Sequence, residues 1–132
     1  MVATIRVFLV DDNGAILSDL QDELGDKFEI AGTAQNGEEA LQAIQRLNPD
    51  VLVLDITMPG LNGLQVAARV HGNHPRTRIL FLTIHEEPEY VSAAFNAGAL
   101  GYVSKRRLAS DLAPAIREVF EGRTFLSPTL HR

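Results

Sequence analysis

At 132 residues, 45% hydrophobic and 22% charged, the chain is sized for one domain with a sizeable core and does not have a disordered composition. A net charge of −5, from 17 acidic and 12 basic residues, argues against nucleic-acid binding by this domain itself, because phosphate contacts need a basic footprint. There are no cysteines, which excludes disulfides and thiolate metal sites. No apolar run approaches the roughly 18 residues of a membrane span, and no signal-peptide pattern opens the chain. A cytoplasmic protein is expected.

The first predicted strand runs from Ile5 to Val10, interrupted only by Arg6, and ends in Asp11-Asp12. Asn13-Gly14 reads as a turn. Ile16, Leu17, Leu20 and Leu24 then recur at helical spacing up to Gly25. Phe28 to Ala31 is a short predicted strand. Asn36 with Glu39 three residues on has the spacing of a capping box. It opens a helix whose stripe is Ala40, Leu41, Ile44 and Leu47, stopped by Asn48-Pro49.

Val51-Leu52-Val53-Leu54 is an unbroken apolar run, as expected of a strand buried on both faces. Asp55 ends it, and Pro59-Gly60 turns the chain away. A helix is predicted from Gly63 to about Val70, with Asn62-Gly63 read as the turn before it. Ile79 to Leu82 forms the fourth strand, followed by Thr83 and His85-Glu86-Glu87. Pro88 suits the first turn of the next helix, whose Val91, Ala94 and Phe95 face inward before Gly98. Leu100 to Val103 is the fifth strand and leads into Ser104-Lys105. A last helix is expected from about Ser110, with Leu112, Ile116, Val119 and Phe120 inward and Pro114 near its first turn.

Five strands thus alternate with five helices through short connections, which implies parallel pairing and right-handed crossovers. The expected architecture is α/β, a doubly wound open sheet in one domain of residues 1–121. Residues 122–132 read as an exit segment. Ligands in such sheets bind beyond the carboxyl ends of the strands, at the topological switch point.

That edge is where the chemistry collects. The strand ends deliver Asp11 and Asp12, Asp55, Thr83 and Lys105 to one place. Any one of them has a bland reading as a cap or turn residue; together they do not. Two carboxylates ~5 Å apart at an effective dielectric of ~20 repel by roughly 3 kcal/mol, so three need cations. Lys105 supplies one charge. An all-oxygen donor set suits Mg²⁺, which keeps waters and favours phosphate oxygens. An Asp carboxylate can receive a phosphoryl group as nucleophile, with Thr83 and Lys105 holding its oxygens.

The motifs Val10-Asp11-Asp12, Leu54-Asp55 through Asn62-Gly63, Leu82-Thr83 and Gly101-Tyr102-Val103-Ser104-Lys105 resemble the receiver domain of bacterial two-component response regulators. The likeness covers about residues 4–121. It implies a flavodoxin-like (CheY-like) sheet of strand order 2-1-3-4-5 and a phosphorylation switch in place of a turnover enzyme. By that resemblance Asp55 is the phosphoacceptor, charged by a sensor histidine kinase. Asp11, Asp12, Asp55 and the backbone carbonyl of Thr57 would hold Mg²⁺. Thr83 and Tyr102 match the switch pair, in which the hydroxyl moves toward the phosphate and the ring turns inward. The output surface would span about residues 86–120, bordered by Lys105-Arg106-Arg107 and open to a second copy. Phe125-Leu126-Ser127-Pro128 resembles the exit of the NarL/FixJ subfamily, whose members continue into a LuxR-type helix-turn-helix domain that would carry DNA binding.

Some positions depart from that pattern. Arg106 stands where the family often has a proline after a cis peptide bond, so either a trans bond with a reshaped loop or a strained cis bond is expected. Ile84 is bulkier than the alanine common there and is expected to restrict water near a phosphorylated Asp55. His85 is read as a solvent-facing loop residue, not a metal ligand; His71, His74 and His131 lack ligand spacing and should be exposed. Thr57 occupies the place where aspartate-nucleophile phosphatases carry a second Asp, so any hydrolysis should be slow. A purely structural module on this fold is the other rival, and the complete acidic pocket argues against it.

Overall fold

The apolar runs of the sequence become the strands of one parallel sheet in the computed structural model. It describes residues 4–132, so the first three residues of the expected domain lie outside the described residues. The strands are β1 (Arg6–Val10), β2 (Glu29–Ala34), β3 (Val51–Leu54), β4 (Arg78–Thr83), β5 (Gly101–Ser104) and β6 (Phe125–Leu126). They alternate with α1 (Gly14–Leu24), α2 (Gly37–Leu47), α3 (Gly63–Asn73), α4 (Pro88–Asn96) and α5 (Leu108–Phe120). The sheet order is β2-β1-β3-β4-β5-β6, and every pairing is parallel. The expected 2-1-3-4-5 order holds. The sixth strand, formed by the segment read as an exit, was not expected.

Strand alternation divides the core in two. Phe8, Val10, Leu52, Leu54, Ile79, Phe81 and Tyr102 face α2, α3 and α4. Val7, Leu9, Val51, Val53, Leu80, Leu82 and Val103 face α1 and α5. β3 is buried along its whole length because helices cover both of its faces. Each fully buried aliphatic or Phe side chain contributes about 1.5–3 kcal/mol of burial. Together they hold the strand ends rigidly in line.

Helix starts correct several expectations. Asn13 is not part of a turn but the N-cap of α1, accepting from the N–H groups of Ala15 and Ile16. Asn62, also read as a turn, caps α3 and forms a full capping box with Gln65. The capping box expected at Asn36 is only half there. Asn36 Oδ1 accepts from Glu39 N, but the Glu39 carboxylate accepts from the Asn36 side chain, not from its backbone. α3 runs three residues beyond Val70, and β2 is Glu29–Ala34 instead of 28–31. α5 begins at Leu108, so Pro114 lies within the helix and not in its first turn, with its ring exposed.

Of the two geometries considered for Lys105–Arg106, the trans bond is present; no described peptide bond is cis. Residues Lys105–Arg107 make a single 3-10 turn, and Ser104 Oγ accepts from Arg106 N at 3.2 Å.

The exit segment is docked along the β5 edge. Ser127 is buried, donating to Asp111 Oδ2 at 2.8 Å and accepting from Ser104 N at 3.2 Å. Burial pushes the Asp111 carboxyl up, but hydrogen bonds from Arg107, Ser127 and Ser110 outweigh it and hold the group below its ordinary value.

The helix α3 starts directly behind the β3 terminus. A Cβ on Gly63 would fall 2.0 Å from the backbone oxygen of Asp55. Gly63→Ala is therefore expected to destabilise the chain by about 3 kcal/mol, read as a lowered urea midpoint with an unchanged slope. A midpoint shift within error would show that the loop after Asp55 yields.

Candidate functional site

The carboxyl ends of β1 and β3 are locked side by side by a hydrogen bond from Asp55 N to Val10 O, 3.2 Å long. Asp11 and Asp55 are thereby neighbours, 2% and 7% exposed, while Asp12 faces solvent. From the end of β5, Lys105 Nζ reaches Asp11 Oδ2 and Asp55 Oδ2, each at 2.8 Å. The other oxygen of each carboxylate accepts a backbone N–H, from Asn13 to Asp11 at 2.9 Å and from Ile56 to Asp55 at 2.7 Å. Asp11, Asp12 and Asp55 each offer an oxygen, and those oxygens lie within 4.8 Å of one another. The cleft above them is lined by Asp11, Asp12, Asp55, Thr57, Ile84 and His85 among others.

This charge balance is incomplete. Burial raises the Asp11 carboxyl above its ordinary value despite the Lys105 hydrogen bond. Burial also pulls Lys105 down, but its hydrogen bonds and charge attraction to Asp11 and Asp55 win and raise it. One ammonium is thus shared by two buried carboxylates with a third nearby. A divalent cation would complete the set, and the three clustered carboxylates are the hard oxygen donors such an ion takes.

The neighbouring residues connect this cleft to α4 and β5. Thr83 is fully buried, and its Oγ1 accepts from His85 N at 3.4 Å. Tyr102 is also fully buried, with its ring turned into the core, 6.3 Å from Phe81 between centroids. Its hydroxyl donates to the carbonyl of His85 at 2.7 Å. Burial first, and then the charges of Glu87 and Asp55, push that phenol upward, so it stays a neutral donor.

His85 is not the solvent-facing loop residue expected. Its Nε2 is hydrogen-bonded to Thr57 Oγ1 at 2.7 Å, and its ring stacks on Tyr90 at 4.2 Å. Sequence reading missed it, although its place two residues after Thr83, at a strand end, was the available signal. Glu86 was also missed. It accepts from Ser104 Oγ at 2.5 Å and faces Arg106 at 3.5 Å, so it joins the loops after β4 and β5. Ile84 is 69% exposed at the rim of the cleft. Each member of Lys105-Arg106-Arg107 has an acidic partner, Arg107 bonding Asp111 at 2.8 Å. His71 and His131 are exposed, and His74 is half-buried.

Such a sheet, with an acidic cluster and one lysine at its switch-point edge, defines an α/β domain that gathers its polar groups beyond the carboxyl ends of its strands. Residues 7–117 match the model of the response regulator receiver domain, and the chain belongs to that family. It is 34% identical over 128 residues to the response regulator GacA of Pseudomonas viridiflava, covering 96% of this chain and 60% of GacA. To the uncharacterised transcriptional regulatory protein YvfU of Bacillus subtilis it is 39% identical, covering 96% of this chain and 64% of YvfU. The chain therefore spans about 60% of the length of these curated relatives. A LuxR-family two-component response regulator from Aurantimonas superposes with a TM-score of 0.92 at 29% identity, covering 97% of this chain and 93% of that one. Among the described residues, no helix is long and apolar enough to cross a membrane.

The raised Asp11 carboxyl has a definite sign. A carboxyl lifted above its unfolded value of 3.8 favours folding at low pH, and that contribution is lost as pH rises through the folded value. In chelator, Asp11→Asn is therefore expected to have a higher urea midpoint than the parent at pH 7. The advantage should vanish well below pH 3.8. A midpoint at pH 7 equal to or below the parent's would contradict it.

Proposed function

We propose that this domain is a phosphorylation switch in which Asp55 takes a phosphoryl group from the phosphohistidine of a sensor histidine kinase. The observation that carries this reading is the position of Lys105, 2.8 Å from the carboxylates of both Asp11 and Asp55. An Asp55 oxygen attacks phosphorus as the phosphorus–nitrogen bond breaks, and the kinase imidazole leaves with the electron pair and is reprotonated. Mg²⁺, held by Asp11, Asp12, Asp55 and the Thr57 carbonyl, would neutralise charge that develops on the phosphoryl oxygens. Lys105 exchanges one carboxylate partner for a phosphoryl oxygen, and Thr83 donates its hydroxyl to another. Thr57 offers no carboxylate two residues beyond Asp55, so loss of the phosphoryl group to water is slow.

Phosphorylation adds up to about two negative charges beside Thr83 and Tyr102. Moving a two-state element from 1:99 to 99:1 takes about 5.5 kcal/mol of differential interaction, within reach of two or three charge-assisted hydrogen bonds. The region of residues 86–120, bounded by α4 and α5, carries the change outward. In a cytoplasmic transcription regulator the receiver of residues 1–121 would bias a helix-turn-helix output domain attached beyond the exit segment 122–132, with a second copy of the chain as a further partner.

Incubation with Mg²⁺ and acetyl phosphate, followed by intact mass, is expected to show the addition of one phosphoryl group. Asp55→Asn should abolish it; no gain in the parent, or a gain that survives this substitution, refutes the assignment. Ile84, at the rim of the cleft, partly screens Asp55 from water. Ile84→Ala should shorten the life of the phosphorylated form severalfold in the same mass assay, and an unchanged decay would remove that role.

A further inference from the structure

The β5 edge, part of the surface through which a receiver of this kind would speak to its partners, is already occupied by the chain's own exit segment. Phe125 N donates to Leu100 O at 3.0 Å and Ser127 N to Tyr102 O at 3.1 Å, adding β6 to the sheet. Ser127 Oγ then ties Ser104 N to the buried Asp111, which is also held by Arg107 at 2.8 Å and Ser110 at 2.9 Å. Leu130 is 6% exposed and belongs to the same buried cluster as Tyr102, Val91 and Ala94. The Arg132 guanidinium lies 4.3 Å above the ring of Phe95 on α4. Eight residues thus reach from α5 across β5 to α4.

Tyr102 takes part in both arrangements. Its backbone carbonyl holds Ser127, and its ring shares a cluster with Leu130. Its hydroxyl is bonded to the carbonyl of His85, two residues from Thr83. Swinging the ring out of the core would break that hydroxyl contact and open the cluster that Leu130 fills.

We infer that docking of the exit segment, residues 125–132, and phosphorylation of Asp55 are positively coupled through the inward position of Tyr102. The inference rests on Asp55 being the phosphoacceptor. The docked segment packs against the inward ring, and on the switch-pair reading of Thr83 and Tyr102 phosphorylation draws the ring the same way. Two events that bias one two-state element necessarily strengthen each other. The exit segment is then the first reader of the switch, ahead of any other molecule. Ser127 and Asp111 are positioning residues outside the phosphoryl site.

Hydrogen exchange on the 132-residue chain tests this, with Mg²⁺ and beryllofluoride standing in for the phosphoryl group. Bound beryllofluoride should slow exchange of the Ser127 and Ser104 amides about fivefold or more, with β1 amides unchanged. Reciprocally, Ser127→Ala should raise the beryllofluoride concentration for half-saturation, followed by fluorine NMR, about fivefold while leaving the circular dichroism spectrum unaltered. Unchanged exchange at Ser127 and Ser104 in a chain with a bound fluorine resonance would overturn the coupling. So would an unchanged half-saturation in Ser127→Ala. No bound resonance in the parent chain would overturn the assignment of the phosphoryl site, and this inference with it.

Discussion

One ammonium group between two buried carboxylates is the constraint on which the rest of the site depends. Asp11 and Asp55 come from strands far apart in sequence, and the β1–β3 register sets them side by side. Without Lys105, two buried charges of like sign would stand unshielded, at a cost of several kcal/mol. Yet Lys105 does not finish the task, because Asp12 adds a third carboxylate and burial still lifts Asp11. The site is stable enough to fold, yet it keeps an excess of negative charge of the kind a divalent cation would balance.

The parts around it act as ties between loops. His85 joins the Asp55 loop through Thr57, α4 through Tyr90, and β5 through the Tyr102 hydroxyl. Glu86 joins the loop after β4 to Ser104 and Arg106 beyond β5. Thr83 belongs to the same set of ties, because its Oγ1 accepts from His85 N. The α1–α5 side forms a separate buried cluster on the other face of the sheet.

Much of this was legible in the residues themselves. Period-free apolar runs such as Val51–Leu54 and Ile79–Leu82 announced buried parallel strands, and the polar residues closing each run marked the site. What escaped notice lacked a local pattern. β6 is two residues long, and its ladder bonds depend on β5 being in place. Asn62 and Asn13 looked like turn formers because a cap and a turn draw on the same side-chain chemistry. Asp111 sits on the inward stripe of α5 between Leu108 and Leu112, and a carboxylate there was a signal that a buried partner must exist. That partner, Ser127, lies 16 residues on, at a spacing no helix or strand period reveals. His85 kept its role hidden because its bonding partners, Thr57 in the loop after β3 and the Tyr102 hydroxyl on β5, lie far from it in sequence.

The sixth strand also settles how the sheet ends. An open parallel sheet exposes two edges, and an uncovered edge strand offers its free N–H and C=O groups to any other chain. On the β5 side, Leu100 O and Tyr102 O are instead taken by Phe125 and Ser127. With residues 125–132 held elsewhere, the carbonyls of Leu100 and Tyr102 would be free on that flank, a border open to foreign strands by augmentation.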